Sequence, residues 1–145
     1  MKVSEVMTRD VVLVAPSETI CDAAKKMAEC DAGALPVGEG DRLIGVITDR
    51  DIAIRAVAEN KPPDTPVREV MTQQVLYCFE DESVEHVAEN MGEQQIRRLP
   101  VMDRDKRLVG IVSIADLSRK TRPNTAGKAV AAISQPGGEH SQSVH

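Results

Sequence analysis

Two pairs of residues in this sequence each combine a hydroxyl side chain with a carboxylate three positions later, a spacing that allows both groups to act at one place. Thr48 and Asp51 form the first pair, and Ser113 and Asp116 form the second. A hydroxyl and a carboxylate at this spacing form a capping box at the start of a helix. A helix N-terminus also offers free N–H groups to a phosphate, and a carboxylate there can accept two hydrogen bonds from a ribose diol. The pattern therefore predicts either a helix cap or a nucleotide site.

The composition is that of a protein with an aliphatic core. Of 145 residues 41% are hydrophobic, which is enough to bury a core in one domain or two small ones, although Tyr77 and Phe79 are the only aromatic residues. Cys21, Cys30 and Cys78 form no CxxC motif. We expect them to be small hydrophobic side chains in a reducing compartment, with a regulatory disulfide as the alternative.

The charge balance and the hydropathy argue against two classes of partner. The net charge is −5, from 18 basic and 23 acidic residues, whereas a broad nucleic-acid surface needs clustered Lys and Arg. No apolar run approaches the length of a membrane span, and the N-terminus lacks the apolar region of a signal peptide. We expect a cytoplasmic protein that binds neither nucleic acid nor membrane.

An internal repeat covers most of the chain. Residues 3–8 match residues 67–72 at an offset of 64 (71 − 7), and Leu-Pro-Val at 35–37 matches Leu-Pro-Val at 99–101. One extra residue in the loop before residue 107 moves the offset to 65, at which Asp51 matches Asp116. We therefore expect one structural unit to be present twice.

Each copy reads as β-α-β-β-α. Residues 11–14 form a β-branched run that reads as a strand. Ser17 can cap the helix that follows, which has apolar residues at positions i, i+3, i+4 and i+7, namely Ile20, Ala23, Ala24 and Met27. The Leu-Pro-Val strand, a Gly/acidic turn and a second strand follow. Pro36 indicates a strand position without a ladder hydrogen bond. We expect a first repeat at residues 1–60, a linker at 61–66, a second repeat at 67–122 and a C-terminal tail at 123–145.

The helix after Asp49 is apolar around more than half of its circumference, with apolar residues at 52–54 and 56–58. A helix with one buried stripe needs an apolar arc of only about 100°. We therefore expect a second buried face and a homodimer. In the tail, residues 126–133 are expected to form a short docking helix, whereas residues 134–145 are expected to be mobile and dispensable.

The two copies, each with a strand, a helix, Leu-Pro-Val, a second strand and Gly-x-x-[Ser/Thr]-x-x-Asp, resemble a tandem pair of cystathionine β-synthase (CBS) domains, often called a Bateman module. The resemblance covers about residues 1–122 and implies an α+β fold in which two pseudo-symmetric repeats pack through their sheets. It also implies two clefts that bind adenosine compounds such as AMP, ATP, NAD or S-adenosylmethionine, and assembly into dimers.

The resemblance implies which residues bind the ligand. The predicted set combines the two hydroxyl and carboxylate pairs with residues at the Leu-Pro-Val triplets: Thr48, Asp51, Ser113, Asp116, Arg97, Arg98, Gly33, Ala34, Pro36 and Arg50. Gly33 and Ala34 would leave room for a base, whereas Arg97 and Arg98 would attract a phosphate, since the guanidinium group donates bidentately. Arg97 and Arg98 can alternatively pair with Glu93 or Asp103 at the surface.

Arg50 has two interpretations of its own. It either contacts a phosphate or pairs at the surface with Asp49 or Asp51, and its place between those two carboxylates favours the surface pair.

The predicted function is that of a regulatory module for an adenosine nucleotide, with no required cofactor, no metal and no catalytic residue. Its output would pass through dimerisation or an unknown effector protein. The alternative is a structural or redox-responsive dimer with vestigial clefts, because capping explains Thr48 and Asp51 without a ligand. An enzyme is disfavoured because no nucleophile, base and orienting group can be assembled; His86 and Glu89 form only a weak metal-like pair.

Overall fold

A computed structural model describes residues 1–120 and 123–134, and its contacts divide the chain into two compact units. We name each unit after its carboxylate. The Asp51 unit is Val12–Val75, and the Asp116 unit combines Met1–Val11 with the described residues from Leu76 onward. The predicted mobility of residues 135–145 lies outside the described residues.

The Asp51 unit contains a helix, a β-hairpin and a second helical segment. Helix α1 spans Ile20–Cys30, strands β1 (Ala34–Glu39) and β2 (Arg42–Thr48) pair antiparallel, and α2 (Asp49–Asp51) continues as a π-helical segment, Ile52–Val57. The predicted first strand at residues 11–14 is wrong in extent. Only Val14 pairs, in a parallel bridge with Val37.

The Asp116 unit has the same order of elements, with one further strand at its start and one further helix at its end. Strands β3 (Cys78–Phe79), β4 (Arg98–Met102) and β5 (Leu108–Ser113) form one sheet, in which β3 is parallel and β5 antiparallel to β4. Helix α3 spans Val84–Gln94, α4 spans Ile114–Lys120 and α5 spans Pro123–Ile133. Helix α5 includes the range predicted for the docking helix. The mixed α+β content confirms the predicted fold class.

The leading segment of each repeat packs in the unit formed by the other repeat. Val3 and Val6 are buried in the core of the Asp116 unit, and Val67 and Val70 are buried in the core of the Asp51 unit. A short 3-10 helix carries each segment, Val3–Glu5 and Val67–Glu69. The repeats of the sequence and the compact units of the structure are therefore different divisions of the chain.

The proline of each Leu-Pro-Val triplet costs no ladder hydrogen bond. Pro36 lies opposite Val46, whose N–H and C=O bond instead to the backbone of Thr72, at 3.0 and 2.9 Å. Pro100 lies opposite Ile111, which exchanges the same two bonds with Thr8. An antiparallel ladder alternates hydrogen-bonded and non-hydrogen-bonded pairs, and each proline occupies a non-bonded position.

The first helix of each unit is capped by a hydroxyl one residue before it. The Thr19 hydroxyl accepts from the Asp22 N–H at 3.0 Å, and the Ser83 hydroxyl accepts from the His86 N–H at 3.1 Å. The prediction that Ser17 caps α1 is therefore wrong. Helix α1 buries only part of the predicted stripe, since its Ala24 is exposed.

The π-helical segment leaves apolar side chains in solvent. Ala56 is fully buried, but Ile54 and Val57 are 52% and 66% exposed. The segment therefore has more apolar surface than its own core uses, as the sequence predicted. None of the described helices has the length and apolarity needed to cross a membrane.

Candidate functional site

The first hydroxyl and carboxylate pair forms a capping box where β2 ends and α2 begins. The Thr48 hydroxyl accepts from the Asp51 N–H at 2.9 Å, and Asp51 Oδ2 accepts from the Thr48 N–H at 3.0 Å. Thr48 has an extended backbone and Asp49 opens the helix, so the pair holds the chain at its change of direction. The capping interpretation therefore describes the geometry of this pair.

The other oxygen of Asp51 is not hydrogen-bonded to a described residue. Asp51 Oδ1 lies 3.9 Å from Arg55 Nη1, which is beyond hydrogen-bond range. That Arg55 nitrogen donates instead to the carbonyls of Val70 and Met71, each at 3.1 Å. The Asp51 side chain is 14% exposed. This oxygen therefore has free acceptor capacity and partial access to solvent.

The second pair repeats the capping box and adds two bonds to its carboxylate. The Ser113 hydroxyl accepts from the Asp116 N–H at 3.1 Å, and Asp116 Oδ2 accepts from both the Ser113 N–H and the Ser113 hydroxyl, at 2.9 and 3.0 Å. Asp116 Oδ1 accepts from Arg119 Nη2 at 3.2 Å. Asp116 is 4% exposed, so these bonds satisfy a nearly buried carboxylate.

The residues before each Leu-Pro-Val triplet lie beside the corresponding turn. The Gly33 carbonyl accepts from the Asp49 N–H at 2.9 Å, and Ala34 pairs with Thr48 across the hairpin. Facing residues of an antiparallel pair place their Cβ atoms about 5 Å apart. The structure therefore brings both small residues to the first turn.

The same register brings two arginines to the second turn. The Arg97 carbonyl accepts from the Ile114 N–H at 3.0 Å, and Arg98 pairs with Ser113. Both arginines are exposed, and within the described part of the chain neither side chain pairs with Glu93 or Asp103. Asp103 Oδ1 instead accepts from the backbone N–H groups of residues 105 and 107. The surface pairs considered as an alternative are therefore not formed.

Pro36 and Arg50 are the remaining two predicted site residues. Pro36 is buried in β1, two residues beyond Ala34 and opposite Val46 rather than Thr48. Arg50 is exposed, and its backbone N–H donates to Asp49 Oδ1 at 2.8 Å.

Sequence reasoning missed three charged residues at the turns. Asp49 lies against Gly33, because a Cβ on that glycine would lie 3.0 Å from Asp49 Oδ2. Arg55 and Arg119 lie near Asp51 and Asp116, four and three residues further along the helix. That spacing places side chains on the same helix face, so the positions of these two arginines in the sequence could have indicated that they lie near the carboxylates.

The cysteines and His86 lie away from the two turns. Burial raises the pKa of the Cys78 thiol to about 12, so little reactive thiolate is present near neutral pH. Cys21 and Cys30 are nine residues apart in α1, about 13 Å along the axis, which is too far for a disulfide.

His86 Nε2 lies 3.4 Å from Glu82 Oε1. Among the described residues, no three His, Cys, Asp or Glu side chains are grouped to hold a metal.

Two segments of the chain, residues 3–57 and 67–122, each match the family model of the CBS domain. The chain belongs to the CBS-domain family. The matched segments coincide with the two repeats of the sequence, so the predicted resemblance to a tandem pair is confirmed. This CBS pair is 41% identical over 133 residues to the CBS domain-containing protein YhcV of Bacillus subtilis, covering 91% of this chain and 94% of that protein.

Solved structures of other CBS pairs have the same fold. The crystal structure of hypoxic response protein I, which has two coordinated zinc ions, superimposes with a TM-score of 0.76 at 38% identity and covers 84% of this chain and 100% of its own. The CBS-domain pair of protein MJ0100, in complex with 5′-methylthioadenosine and S-adenosyl-L-methionine, has a TM-score of 0.71 at 34% identity and covers 82% and 94%.

Proposed function

We propose that this CBS pair is a regulatory module that binds an adenosine nucleotide at one or both of its strand-to-helix turns. The observation that carries the proposal is the carboxylate of Asp51, which is fixed by its capping box and retains an oxygen without a hydrogen bond to any described residue. A fixed carboxylate with free acceptor capacity suits a ribose diol, since the diol donates two hydrogen bonds.

Each neighbouring residue has a role in this proposal. Thr48 and Ser113 lie at the phosphate end of their sites, near the first N–H groups of the following helix. Neither Gly33 nor Ala34 projects a long side chain over the first turn, and the base would lie on the side of Ala34, because the Asp49 carboxylate lies against Gly33. The exposed guanidinium groups of Arg97 and Arg98 attract phosphate at the second turn. Pro36 and Arg50 retain only a secondary place in the proposed site.

The fit of a carboxylate to a ribose diol and the ligands of one related structure support the ligand class. AMP, ADP, ATP, NAD and S-adenosylmethionine all present an adenosine ribose. The complexes of the MJ0100 pair with two adenosine-derived compounds support this class. We assign the module no catalytic role and no required cofactor or metal. Its bound state is read by a partner protein or through self-association.

The second candidate function is that of a structural dimer without a ligand. It is favoured by one observation, namely that the hydrogen bonds of both capping boxes are complete without a bound molecule. The dimer itself is common to both proposals, since the exposed Ile54 and Val57 supply an apolar surface of the kind that proteins bury in interfaces.

A thermal-shift screen against the five compounds separates the two functions. A ligand at a hundred times its Kd stabilises the native state by about 2.7 kcal/mol, which raises the melting temperature of a chain of this size by roughly 5–10 °C. Guanosine monophosphate serves as the control, because it has the same ribose and phosphate but a different base. A wild-type protein that none of the five shifts at millimolar concentration favours the structural dimer.

A further inference from the structure

The two turn carboxylates differ in how many of their oxygens are already hydrogen-bonded. Asp51 Oδ2 accepts one bond, from the Thr48 N–H, and Oδ1 lies 3.9 Å from the nearest guanidinium nitrogen of Arg55. Asp116 Oδ2 accepts two bonds from Ser113, and Oδ1 accepts one from Arg119 Nη2 at 3.2 Å. A ligand therefore finds an open oxygen on Asp51 and an occupied one on Asp116.

The difference arises from where the two arginines are held. The Arg55 guanidinium donates to two backbone carbonyls, Val70 and Met71, and these bonds keep it away from Asp51. Arg119 lies one turn beyond Asp116 on α4, and its guanidinium group donates to that carboxylate. At the repeat offset of 65, the residue that matches Arg119 is Ile54 (119 − 65), so the first turn has no counterpart of this arginine.

We propose that Arg119 makes the Asp116 turn the weaker of two sites for an adenosine ribose, so that a ligand without a phosphate fills the Asp51 turn first. The inference rests on the proposed function, because it presupposes that a turn carboxylate binds the ribose diol. A diol that approaches Asp51 meets a free oxygen, whereas one that approaches Asp116 must compete with Arg119 for Oδ1 in order to donate both of its hydrogen bonds. Arg119 thus acts on the ligand indirectly, through its hydrogen bond to Asp116, and sets the order in which the two sites fill.

The expected size of the effect is modest. The side chain of Arg119 is 69% exposed, so its pair with Asp116 is a solvent-screened pair within one helix. Pairs of this kind correspond to an affinity difference of roughly twofold to fivefold. Displacing Arg119 therefore weakens the second site without closing it.

Isothermal titration of the full chain tests the inference, with 5′-methylthioadenosine as the probe of binding order, because it carries no phosphate or carboxylate for Arg97 and Arg98 to attract, and with AMP as the second probe. We expect Asp51→Asn to remove the tighter binding event and Asp116→Asn to remove the weaker one. Asparagine keeps a carbonyl oxygen for the capping bond but loses the second carboxylate oxygen. Arg119→Gln should strengthen the weaker event roughly twofold to fivefold and leave the tighter event unchanged.

Arg68→Gln is the matched control, because it removes one exposed positive charge from a residue outside both turns. It should change neither event. The inference is overturned if Asp116→Asn removes the tighter event, or if Arg119→Gln weakens the second event, which would mean that Arg119 binds the ligand directly. Binding that both Asn variants leave intact contradicts the proposed site itself, and an absence of binding to either probe contradicts the proposed function.

Discussion

At the scale of single residues, the glycine within the strand that leads to each turn, Gly45 in β2 and Gly110 in β5, is required by a close backbone approach. A Cβ on Gly110 would lie 2.9 Å from the Thr8 carbonyl oxygen and 2.7 Å from Met7 Sδ, and one on Gly45 would meet Thr72 and Met71 in the same way. The backbone oxygen cannot move aside as a flexible side chain can. The glycine therefore allows the leading segment of the other repeat to pair with the strand.

We predict that Gly110→Ala destabilises the protein by about 1–3 kcal/mol, because the added methyl group overpacks the contact. Gly127→Ala is the matched control in the same unit, since its Cβ would meet no atom within 4 Å. A helix gains about 0.5–1 kcal/mol from that change. Urea unfolding of both variants gives the comparison, and equal stability of the two would contradict this account of Gly110.

Glu18 gives the stability of the Asp51 unit a defined dependence on pH. A hydrogen bond from the Ala15 N–H at 2.7 Å, and a weaker effect of Lys26, lower the pKa of this carboxyl below its usual value. A lowered folded-state pKa stabilises the protein above the unfolded-state pKa, and that stability is lost as the pH falls through the folded-state value.

We therefore predict that the wild type loses more stability than Glu18→Gln between neutral pH and about pH 3. The exposed Glu85→Gln is the control and should follow the wild type. Melting temperatures measured across this range check the prediction, and parallel curves for wild type and Glu18→Gln would contradict it.

At the scale of elements, the sequence predicted most of the helices and strands but not all of their limits. The i, i+3, i+4, i+7 stripe of α3 and the Leu-Pro-Val strands have strong periodicity, and they fold as expected. Residues 11–14 have the composition of a strand, but only Val14 pairs with β1, in a single bridge to Val37. Tertiary pairing decided the extent of this strand, and local propensity does not contain that information.

At the candidate site, the two capping boxes were predictable from the sequence. The duplicated hydroxyl and carboxylate spacing identified both capping boxes, because the geometry of a cap is local. The difference between Arg55 and Arg119 was not predictable. It depends on the Val70 and Met71 carbonyls, which arrive from a distant part of the sequence.

The π-helical segment predicts self-association. Ile54 is 52% exposed on a surface that its own unit does not cover. Ile54→Glu should therefore shift the protein toward monomer, because a charge cannot be buried in an apolar interface without a large penalty. Val130→Glu places the same charge at another exposed apolar position, on α5, and should leave the mass unchanged. Light scattering at micromolar concentration measures both, and a monomeric wild type would contradict the prediction.

At the scale of the whole molecule, the leading segment of each repeat is buried in the compact unit that the other repeat forms. It therefore stabilises that unit and not the rest of its own repeat. Val6 and Val70 occupy matching positions, and both are essentially fully buried. The sequence repeat gave no sign of this exchange, because equivalent segments look alike whichever copy they pack against.

Val6→Ala and Val70→Ala should each destabilise the protein by about 2 kcal/mol, from the loss of two buried methyl groups' worth of packing. The half-exposed Val12→Ala is the control and should cost much less. Chemical denaturation checks the prediction. Variants at residues 6 and 70 as stable as the wild type would indicate that the leading segments are only linkers.

If the turn carboxylates bind the adenosine nucleotide, replacing both of them should abolish the thermal shift that the ligand causes. Asp51→Asn combined with Asp116→Asn keeps an acceptor for each capping bond. Its melting temperature without ligand should therefore stay near that of the wild type. We predict that the compound that raises the wild-type melting temperature by roughly 5–10 °C at saturation shifts the double variant by less than about 1 °C. An equal shift in both proteins would contradict the claim.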